Sequence, residues 1–114
     1  MFQAKTLFLG EINVDLIFAG LSKAPEEDRE VRADSFSMTI GSSTAICACA
    51  YSGLGGACSF AGLAGADYFG DFMLGRLQDY GVETDLIQKS SSLQTGVTVN
   101  IIRGQTRSQI NYPG

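Results

Sequence analysis

The chain has 114 residues, which is enough for one small domain. A hydrophobic content of 45% predicts a folded core, and a charged content of 18% is too low for a disordered tail. The formal charge is −4 and Lys and Arg form no cluster, which excludes nucleic-acid binding because phosphate backbones need concentrated positive charge. No apolar run approaches membrane-spanning length, so we expect no association with a membrane.

The cysteines and the N-terminal residues bear on the cellular compartment. The odd set Cys47, Cys49 and Cys58 argues against a disulfide scaffold, and the lack of histidine argues against a zinc site. We therefore expect three reduced cysteines in a core and no metal bound by this chain. Residues 1–10 are apolar only in patches and Lys5 interrupts them, which is too short and too charged for a signal peptide. These features predict a cytoplasmic protein.

The first third of the chain predicts strands. Thr6–Leu9 is a continuous apolar run that ends at Gly10, which predicts a buried, central, parallel strand. The alternation that follows, over residues 12–17, is compatible with further extended structure. Residues 25–28 form a polar turn, and residues 30–40 alternate loosely, which predicts one or two strands with one face in water.

The middle of the chain predicts two helices around a second buried strand. Ser and Thr at positions 42–44 are good N-caps for the small, apolar run over residues 45–52. Residues 58–63 predict a buried strand. Asp67 is placed to cap a helix over residues 68–80, where apolar side chains recur at helical spacing. Residues 82–87 then lead into a Ser-rich turn.

The last segments, residues 96–102 and 107–112, predict a β-hairpin with Gly104 in its turn. Strands alternating with helices indicate a parallel sheet with crossovers, while the more polar strands belong to a second, smaller sheet. Two buried parallel strands with two helices make a poor free-standing sheet, because parallel sheets are covered on both faces. We therefore expect a truncated chain.

Two groups of residues are candidates for binding. Asn13 and Asp15 follow the first strand, where open α/β sheets bind ligands, and their spacing points them to one side. An amide beside a carboxylate suits the hydroxyls of a polyol, although ordinary turn chemistry also explains this pair. Gly41, Ser42 and Ser43 begin a helix, whose free N–H groups favour a hydroxyl oxygen or an anion, although a simple helix cap is the alternative.

Several segments occur in an order that resembles ribokinase-like (PfkB) carbohydrate kinases over nearly the whole chain. They are Gly10-Glu11-Ile12-Asn13-Val14-Asp15-Leu16-Ile17, Gly41-Ser42-Ser43-Thr44-Ala45 followed by Leu54-Gly55, Phe60-Ala61-Gly62 with Gly65, Asp67, Phe69 and Gly70, Gly81-Val82, and Thr95-Gly96-Val97-Thr98. The ordered set is much more specific than any single segment.

This resemblance implies a ribokinase-like α/β fold with a partial parallel-sheet core and a small β-sheet lid. Residues 1–114 would be the N-terminal part of the kinase domain, with core elements at about 5–12 and 42–88 and lid strands at about 14–40 and 95–112. Asn13 and Asp15 would hold sugar hydroxyls, with Gly41, Ser42 and Ser43 at the helix start. Lid closure would exclude water, so that ATP phosphorylates the sugar and not solvent.

The sequence departs from the family in three respects. Ser42 stands where the family has a second Gly, and Ile46 stands where it often has Asn. The second signature of the family, which resembles Asp-x-x-Gly-Ala-Gly-Asp and supplies the base and the anion hole, is absent. We therefore expect no catalytic residue here, no kinase activity of this chain alone, and ATP and Mg²⁺ only in the full-length enzyme.

Two other functions compete with this interpretation. One is a non-catalytic module that binds a sugar or nucleoside, or that forms a homodimer through its lid strands. The other is a dinucleotide-binding oxidoreductase domain, which the sequence disfavours because Gly53-x-Gly55 is followed by Cys58 where Gly or Ala is required.

Overall fold

The computed structural model describes residues 5–114, so the first four positions of the predicted domain lie outside the described residues. Seven strands and two helices form this part of the chain. In chain order they are β1 (Thr6–Leu9), β2 (Asn13–Ala19), β3 (Ser35–Ile40), α1 (Ser43–Gly53), β4 (Cys58–Gly65), α2 (Tyr68–Asp79), β5 (Glu83–Ser90), β6 (Gly96–Arg103) and β7 (Thr106–Tyr112).

A three-stranded parallel sheet has the order β1-β4-β5. Helix α1 connects β3 to β4 and packs on β1 and β4, whereas α2 connects β4 to β5 and packs on β5, β4 and β2. The prediction that β1 is a central strand is wrong for this sheet, since β1 lies at its edge with Leu7 and Leu9 exposed. The parallel α/β arrangement itself is confirmed.

Strand β5 is an element that the sequence pattern does not predict. Its buried residues Thr84 and Ile87 lie three positions apart, which breaks the period of two expected for a strand. The pairing of β4 with β5 shifts its register between Ser59 and Ala61, so that β5 contains one extra residue there. This irregularity moves the inward-facing side chains out of simple alternation.

A second, four-stranded sheet has the order β3-β2-β6-β7, with β2 and β6 parallel and the outer pairs antiparallel. The predicted hairpin is confirmed: β6 and β7 are joined by a two-residue turn in which Gly104 has a φ of 58°. Residues 30–40 contain one strand, β3, since regular pairing begins only at Ser35.

The two faces of this second sheet differ in polarity. Register places Asp15, Thr98 and Asn111 side by side on one face, together with other polar residues. The opposite face is mainly apolar; it contributes Val14, which is completely buried, to the core. The core also contains side chains from the parallel sheet and both helices: Cys58, Phe60, Ala64, Met73, Leu77, Ala45 and Ala48.

Both predicted helix caps are confirmed. The Ser42 hydroxyl accepts a hydrogen bond from the backbone N–H of Ala45, and the Asp67 carboxylate accepts one from that of Gly70. The prediction for the cysteines holds in part: all three are free, and Cys49 and Cys58 are buried, but Cys47 is exposed on α1. Within residues 5–114, neither helix has the length and apolarity needed to cross a membrane.

Phe60→Ala tests the importance of this core, because the side chain of Phe60, on β4, is fully buried in it. We expect the free energy of unfolding to fall by about 3–5 kcal/mol in urea titrations followed by circular dichroism. Leu54→Ala is the matched control, since Leu54 is 90% exposed and should change stability by less than about 0.5 kcal/mol. Equal effects of the two substitutions would contradict the described core.

Candidate functional site

A polar cleft of about 470 Å³ lies where the C-terminal end of β1, the start of α1 and the polar face of the second sheet meet. Four of the five predicted binding residues line it, namely Asn13, Asp15, Ser42 and Ser43. Its complete lining is Gly10, Glu11, Asn13, Asp15, Ser42, Ser43, Thr44, Thr98, Gln109 and Asn111. The structure therefore brings together two groups of residues that are nearly thirty positions apart in the sequence.

Asn13 and Asp15 occupy the first and third positions of β2, so their side chains share one face of the sheet. Asn13 is buried, and its Oδ1 lies 3.3 Å from the Thr98 hydroxyl, which is able to donate to it. Asp15 is half-buried and also borders a second recess, whose lining includes Ile46. Ile46 itself does not line the polar cleft.

Gly41 is the predicted residue that does not line the cleft, but it supports the two side chains that do. Its N–H donates a 2.8 Å hydrogen bond to the carbonyl of Asn13. A Cβ atom at Gly41 would lie 2.6 Å from Asn13 Oδ1 and 2.8 Å from Asp15 Oδ1. Glycine at this position therefore leaves the space that the amide and the carboxylate occupy.

Ser42 has a φ of 69°, a backbone conformation that favours glycine. Its hydroxyl nevertheless accepts the 3.2 Å hydrogen bond from Ala45 N–H that caps α1. The helix-cap interpretation of this residue is thus confirmed, whereas contact with a ligand remains a prediction. Ser43 is exposed at the first position of α1.

Thr98, Gln109 and Asn111 are lining residues that the sequence analysis missed. They come from β6 and β7, and pairing across the hairpin places Thr98 opposite Asn111. The Thr98 hydroxyl lies 2.9 Å from Asn111 Oδ1, and Gln109 donates a 2.6 Å hydrogen bond to Asn100 Oδ1. The polar residues at positions 107, 109 and 111 were the available signal, but this segment indicated only the second strand of a hairpin.

Burial raises the pKa of the Asp15 carboxyl above its ordinary value, and the positive charge of Arg107 partly opposes that rise. The folded state therefore binds this proton more tightly than the unfolded state does. The contribution of this group to folding stability therefore falls as the pH rises from its pKa in the unfolded state through its higher pKa in the folded state. Ionising Asp15 in the folded chain thus costs stability.

A second carboxylate joins the two sheets. Asp67 accepts hydrogen bonds from the Thr95 backbone N–H at 2.9 Å and from the Thr95 hydroxyl at 2.7 Å, in addition to the helix-capping bond from Gly70. Thr95 in turn accepts a 3.0 Å bond from Gly65 N–H. Burial pushes the pKa of Asp67 upward, but the bonds from Thr95 and Gly70 outweigh it and hold the pKa below its ordinary value.

Gly41→Ala tests the close packing of Gly41 against the side chains of Asn13 and Asp15. The new methyl group would overlap Asn13 and Asp15, so we expect a loss of about 1–3 kcal/mol in the free energy of unfolding. Gly75→Ala is the matched control, because a methyl group on Gly75, within α2, would meet nothing within 4 Å and should stabilise the chain by about 0.5–1 kcal/mol. Chemical denaturation of both variants provides the comparison, and a stabilised Gly41→Ala variant would contradict the described packing.

Asp67→Asn tests the connection to Thr95. The substitution replaces an acceptor oxygen by an NH₂ group, which would face the N–H and O–H donors of Thr95. We therefore expect the free energy of unfolding at pH 7 to fall by about 1–2 kcal/mol. Because the native pKa is lowered, the stability from the ionised carboxylate is lost as pH falls below about 4, and the difference from the unsubstituted chain should shrink there. Asp85→Asn, at an exposed position, is the charge-matched control. A difference that does not vary with pH would argue against this role for the carboxylate.

Comparisons with known proteins agree with this architecture. The profile of the pfkB family carbohydrate kinases matches residues 3–114. A fructokinase from Xylella fastidiosa, solved with bound ATP, superimposes with a TM-score of 0.77 and 29% identity over 97% of this chain and 33% of its own. A sugar kinase from Pyrococcus horikoshii in complex with ATP gives a TM-score of 0.77 and 28% identity, over 96% of this chain and 34% of its own.

Arabidopsis thaliana ribokinase, complexed with ribose and ATP, has the same fold, with a TM-score of 0.86, 23% identity and coverage of 98% of this chain and 36% of its own. No curated protein matches the chain significantly. The chain spans about a third of the length of these solved kinases. The match of the family profile over almost all of its residues shows that the chain belongs to the pfkB family of carbohydrate kinases.

Proposed function

We propose that the chain forms the sugar-binding and lid portion of an ATP-dependent kinase that transfers phosphate to a sugar hydroxyl. The observation that carries this proposal is the convergence of Asn13, Asp15 and Asn111 in one polar cleft at the end of the parallel sheet. Ligands of open α/β sheets bind at that end. The family and the ATP complexes of similar kinases support the reaction class.

The side chains in the cleft provide complementary groups for a polyol. The Asp15 carboxylate accepts hydrogen bonds from sugar hydroxyls. The oxygens of Asn13 and Asn111 both lie within hydrogen-bonding distance of the Thr98 hydroxyl, whose single proton can be donated to only one of them at a time. The two amides therefore have NH₂ groups that can donate to the sugar and one oxygen that can accept from it. At the start of α1, the N–H of Ser43 is one of the backbone donors without a partner inside the helix.

The second sheet is proposed to act as a lid over this cleft. All four of its strands fall within the predicted lid segments or at their edges. The parallel sheet and both helices fall within the predicted core segments, except that β5 extends to Ser90. The polar face of the second sheet lines the cleft through Thr98, Gln109 and Asn111. A movement of this sheet toward the core would exclude water from a bound sugar.

The rest of the kinase is proposed to cover the exposed face of the parallel sheet. Leu7, Leu9, Leu63 and Leu86 are each more than half exposed, and register places them on one face. Parallel sheets are normally covered on both faces, so this apolar surface suits further protein. The general base, the anion hole and the nucleotide pocket would belong to that further part, and the chain alone would be inactive.

ATP is proposed as the phosphate donor, with Mg²⁺ as its companion ion in the complete enzyme. Among residues 5–114, no three Asp, Glu, Cys or His side chains are grouped as metal ligands would be. The proposed part of these residues is to bind and orient the sugar. The cytoplasm is the proposed compartment, in keeping with the three free cysteines.

A non-catalytic binding or dimerisation module is the alternative, and one observation favours it. Phe36, Ile110 and Tyr112 are exposed on the mainly apolar face of the second sheet, on the side away from the cleft. Such a surface suits a homodimer in which two lid sheets meet. Light scattering distinguishes the two states, and a strictly monomeric chain would count against dimerisation.

Sugar binding without ATP turnover is the expected behaviour of the 114-residue chain. Chemical-shift titration with fructose and ribose should perturb the amides of Asn13 and Asp15, and a coupled assay should detect no sugar-dependent ATP hydrolysis. Asp15→Asn should weaken binding at least about tenfold, since a charged acceptor is lost. The same variant should remain at least as stable at pH 7, because the native pKa is raised, so weaker binding would not reflect unfolding.

Gln88→Ala is a suitable control for this titration, since Gln88 is exposed on β5 outside the cleft and its loss should leave binding unchanged. Turnover of ATP by the chain would contradict its proposed inactivity. Failure of the chain to bind any sugar, or equal binding by the Asp15→Asn variant, would contradict the proposed site.

A further inference from the structure

A recess lined by aromatic side chains lies where the start of α2 meets the first residues of β6 and the end of β7. It has a volume of about 360 Å³, which suits a small molecule, and its lining includes Tyr68, Phe69 and Tyr112. Tyr112 and its cross-strand partner Val97 line it from the apolar face of the second sheet. This aromatic recess and the polar cleft share no lining residue within the described part of the chain.

The aromatic rings form walls of the recess. The rings of Tyr68 and Phe69 stand nearly perpendicular, with centroids 6.0 Å apart and an interplanar angle of 70°. The Tyr112 hydroxyl donates a 2.9 Å hydrogen bond to Gln94 Oε1, which holds the third ring in place. Tyr68 is 71% exposed and Tyr112 is 48% exposed, so ring surface is available to a ligand. The faces of such rings are negative and attract cations.

The lining of the aromatic recess also carries a negative charge. Asp67 is ionised at neutral pH, since its pKa lies below the ordinary value of a carboxyl group. Its oxygens already accept hydrogen bonds from the N–H of Gly70 and from the N–H and hydroxyl of Thr95. The charge therefore remains, while most of the capacity of the carboxylate to accept hydrogen bonds is used.

The charge of Asp67 is larger than the opposing charge of the helix that it caps. Helix α2 begins at Tyr68, and a helix N-terminus carries about half a positive elementary charge. Asp71, in the first turn of α2, forms an ion pair with Lys89, so these two charges largely cancel. The net field in the recess is therefore negative.

The pairing of the polar groups indicates which kind of cation fits. The Asp67 oxygens accept from Thr95 and Gly70, and Gln94 Oε1 accepts from Tyr112. A cation with several N–H groups loses hydrogen bonds to water on entering such a site, because few acceptors replace them. A nitrogen with methyl groups in place of hydrogens avoids that cost and is still attracted by the rings and the carboxylate.

The aromatic recess lies away from the surface proposed to receive the rest of the kinase. That surface is the face of the parallel sheet with the exposed Leu63 and Leu86. Helix α2 packs on the other face, where Phe60 lies in the core with Met73 and Leu77. The walls and the charge of the recess are therefore supplied by this chain itself.

We propose that the aromatic recess binds a small organic cation whose nitrogen carries methyl or other apolar groups, as in a quaternary ammonium compound. The ligand lies between the rings of Tyr68, Phe69 and Tyr112, near the Asp67 carboxylate. This site is independent of the proposed function, since it is built from other residues than the polar cleft.

The test titrates the 114-residue chain with choline, whose nitrogen carries methyl groups, and follows amide chemical shifts. Choline should bind at least about tenfold more tightly than its uncharged isostere, in which carbon replaces nitrogen, because the isostere keeps the shape but not the charge. Ethanolamine, which keeps the charge but has N–H groups, should bind at least about threefold more weakly than choline. The methyl protons of bound choline should shift upfield, since they lie over aromatic rings.

The position of the bound cation follows from the same spectra. The amides of Phe69, Gly70 and Thr95 should shift on addition of choline, whereas those of Asp15 and Asn111, in the polar cleft, should not. Larger shifts at Asp15 and Asn111 would place the cation in the polar cleft and overturn the proposal.

Substitutions at Tyr68 separate the role of the ring from that of the hydroxyl. Tyr68→Leu should weaken choline binding by about threefold to tenfold, while Tyr68→Phe, which keeps the ring, should stay within about twofold. The exposure of Tyr68 makes unfolding of these variants unlikely to interfere, and circular dichroism checks it. Tyr80→Leu is the matched control, because Tyr80 is an exposed tyrosine just after α2 and outside the recess.

Three further results would overturn the proposal. Equal affinities for choline and its isostere would mean that the recess recognises apolar surface and not charge. Tighter binding of ethanolamine would contradict the preference for a methylated nitrogen. Absence of choline binding, or equal losses in Tyr68→Leu and Tyr80→Leu, would show that the rings do not form a cation site, whatever the result of the sugar titration.

Discussion

The parallel pairing of β2 with β6 is the constraint on which the cleft depends. It begins where Asn13 meets Gly96 and continues along both strands, so that Asp15 lies beside Thr98. A Cβ atom at Gly96 would lie 2.8 Å from Asn13 Nδ2, so the close approach needs a glycine. Asp67 holds the adjoining Thr95 from the core side. The position of the lining residues on β6 and β7 follows from this junction.

The two faces of the second sheet differ in their surroundings, since one packs on the core and the other lines the cleft. Apolar residues such as Val14 complete the core below, while polar residues such as Asp15 and Asn111 face the cleft. Period-two alternation makes this separation possible, because neighbours in a strand point to opposite faces. The same strands therefore contribute apolar side chains to the core and polar side chains to the cleft.

The cleft also contains features that folding alone does not favour. Burial raises the pKa of Asp15, so ionising this carboxyl costs stability, and Ser42 adopts a φ of 69° that suits glycine better. Such costs are typical of binding sites, where a group is kept for its interaction with a ligand. By contrast, the pKa of Asp67 is lowered by its hydrogen bonds, which is typical of a structural role.

By itself, the sequence determined the helices, their caps, the hairpin and the family, because these depend on local spacing and on short ordered motifs. Ser42 and Asp67 were recognisable as caps from their immediate neighbours. Only the tertiary structure decided that β5 is a strand and that Thr98, Gln109 and Asn111 join the cleft. Asn13 and Thr98 are 85 positions apart, and the register that unites them arises from strand pairing, which no local pattern encodes.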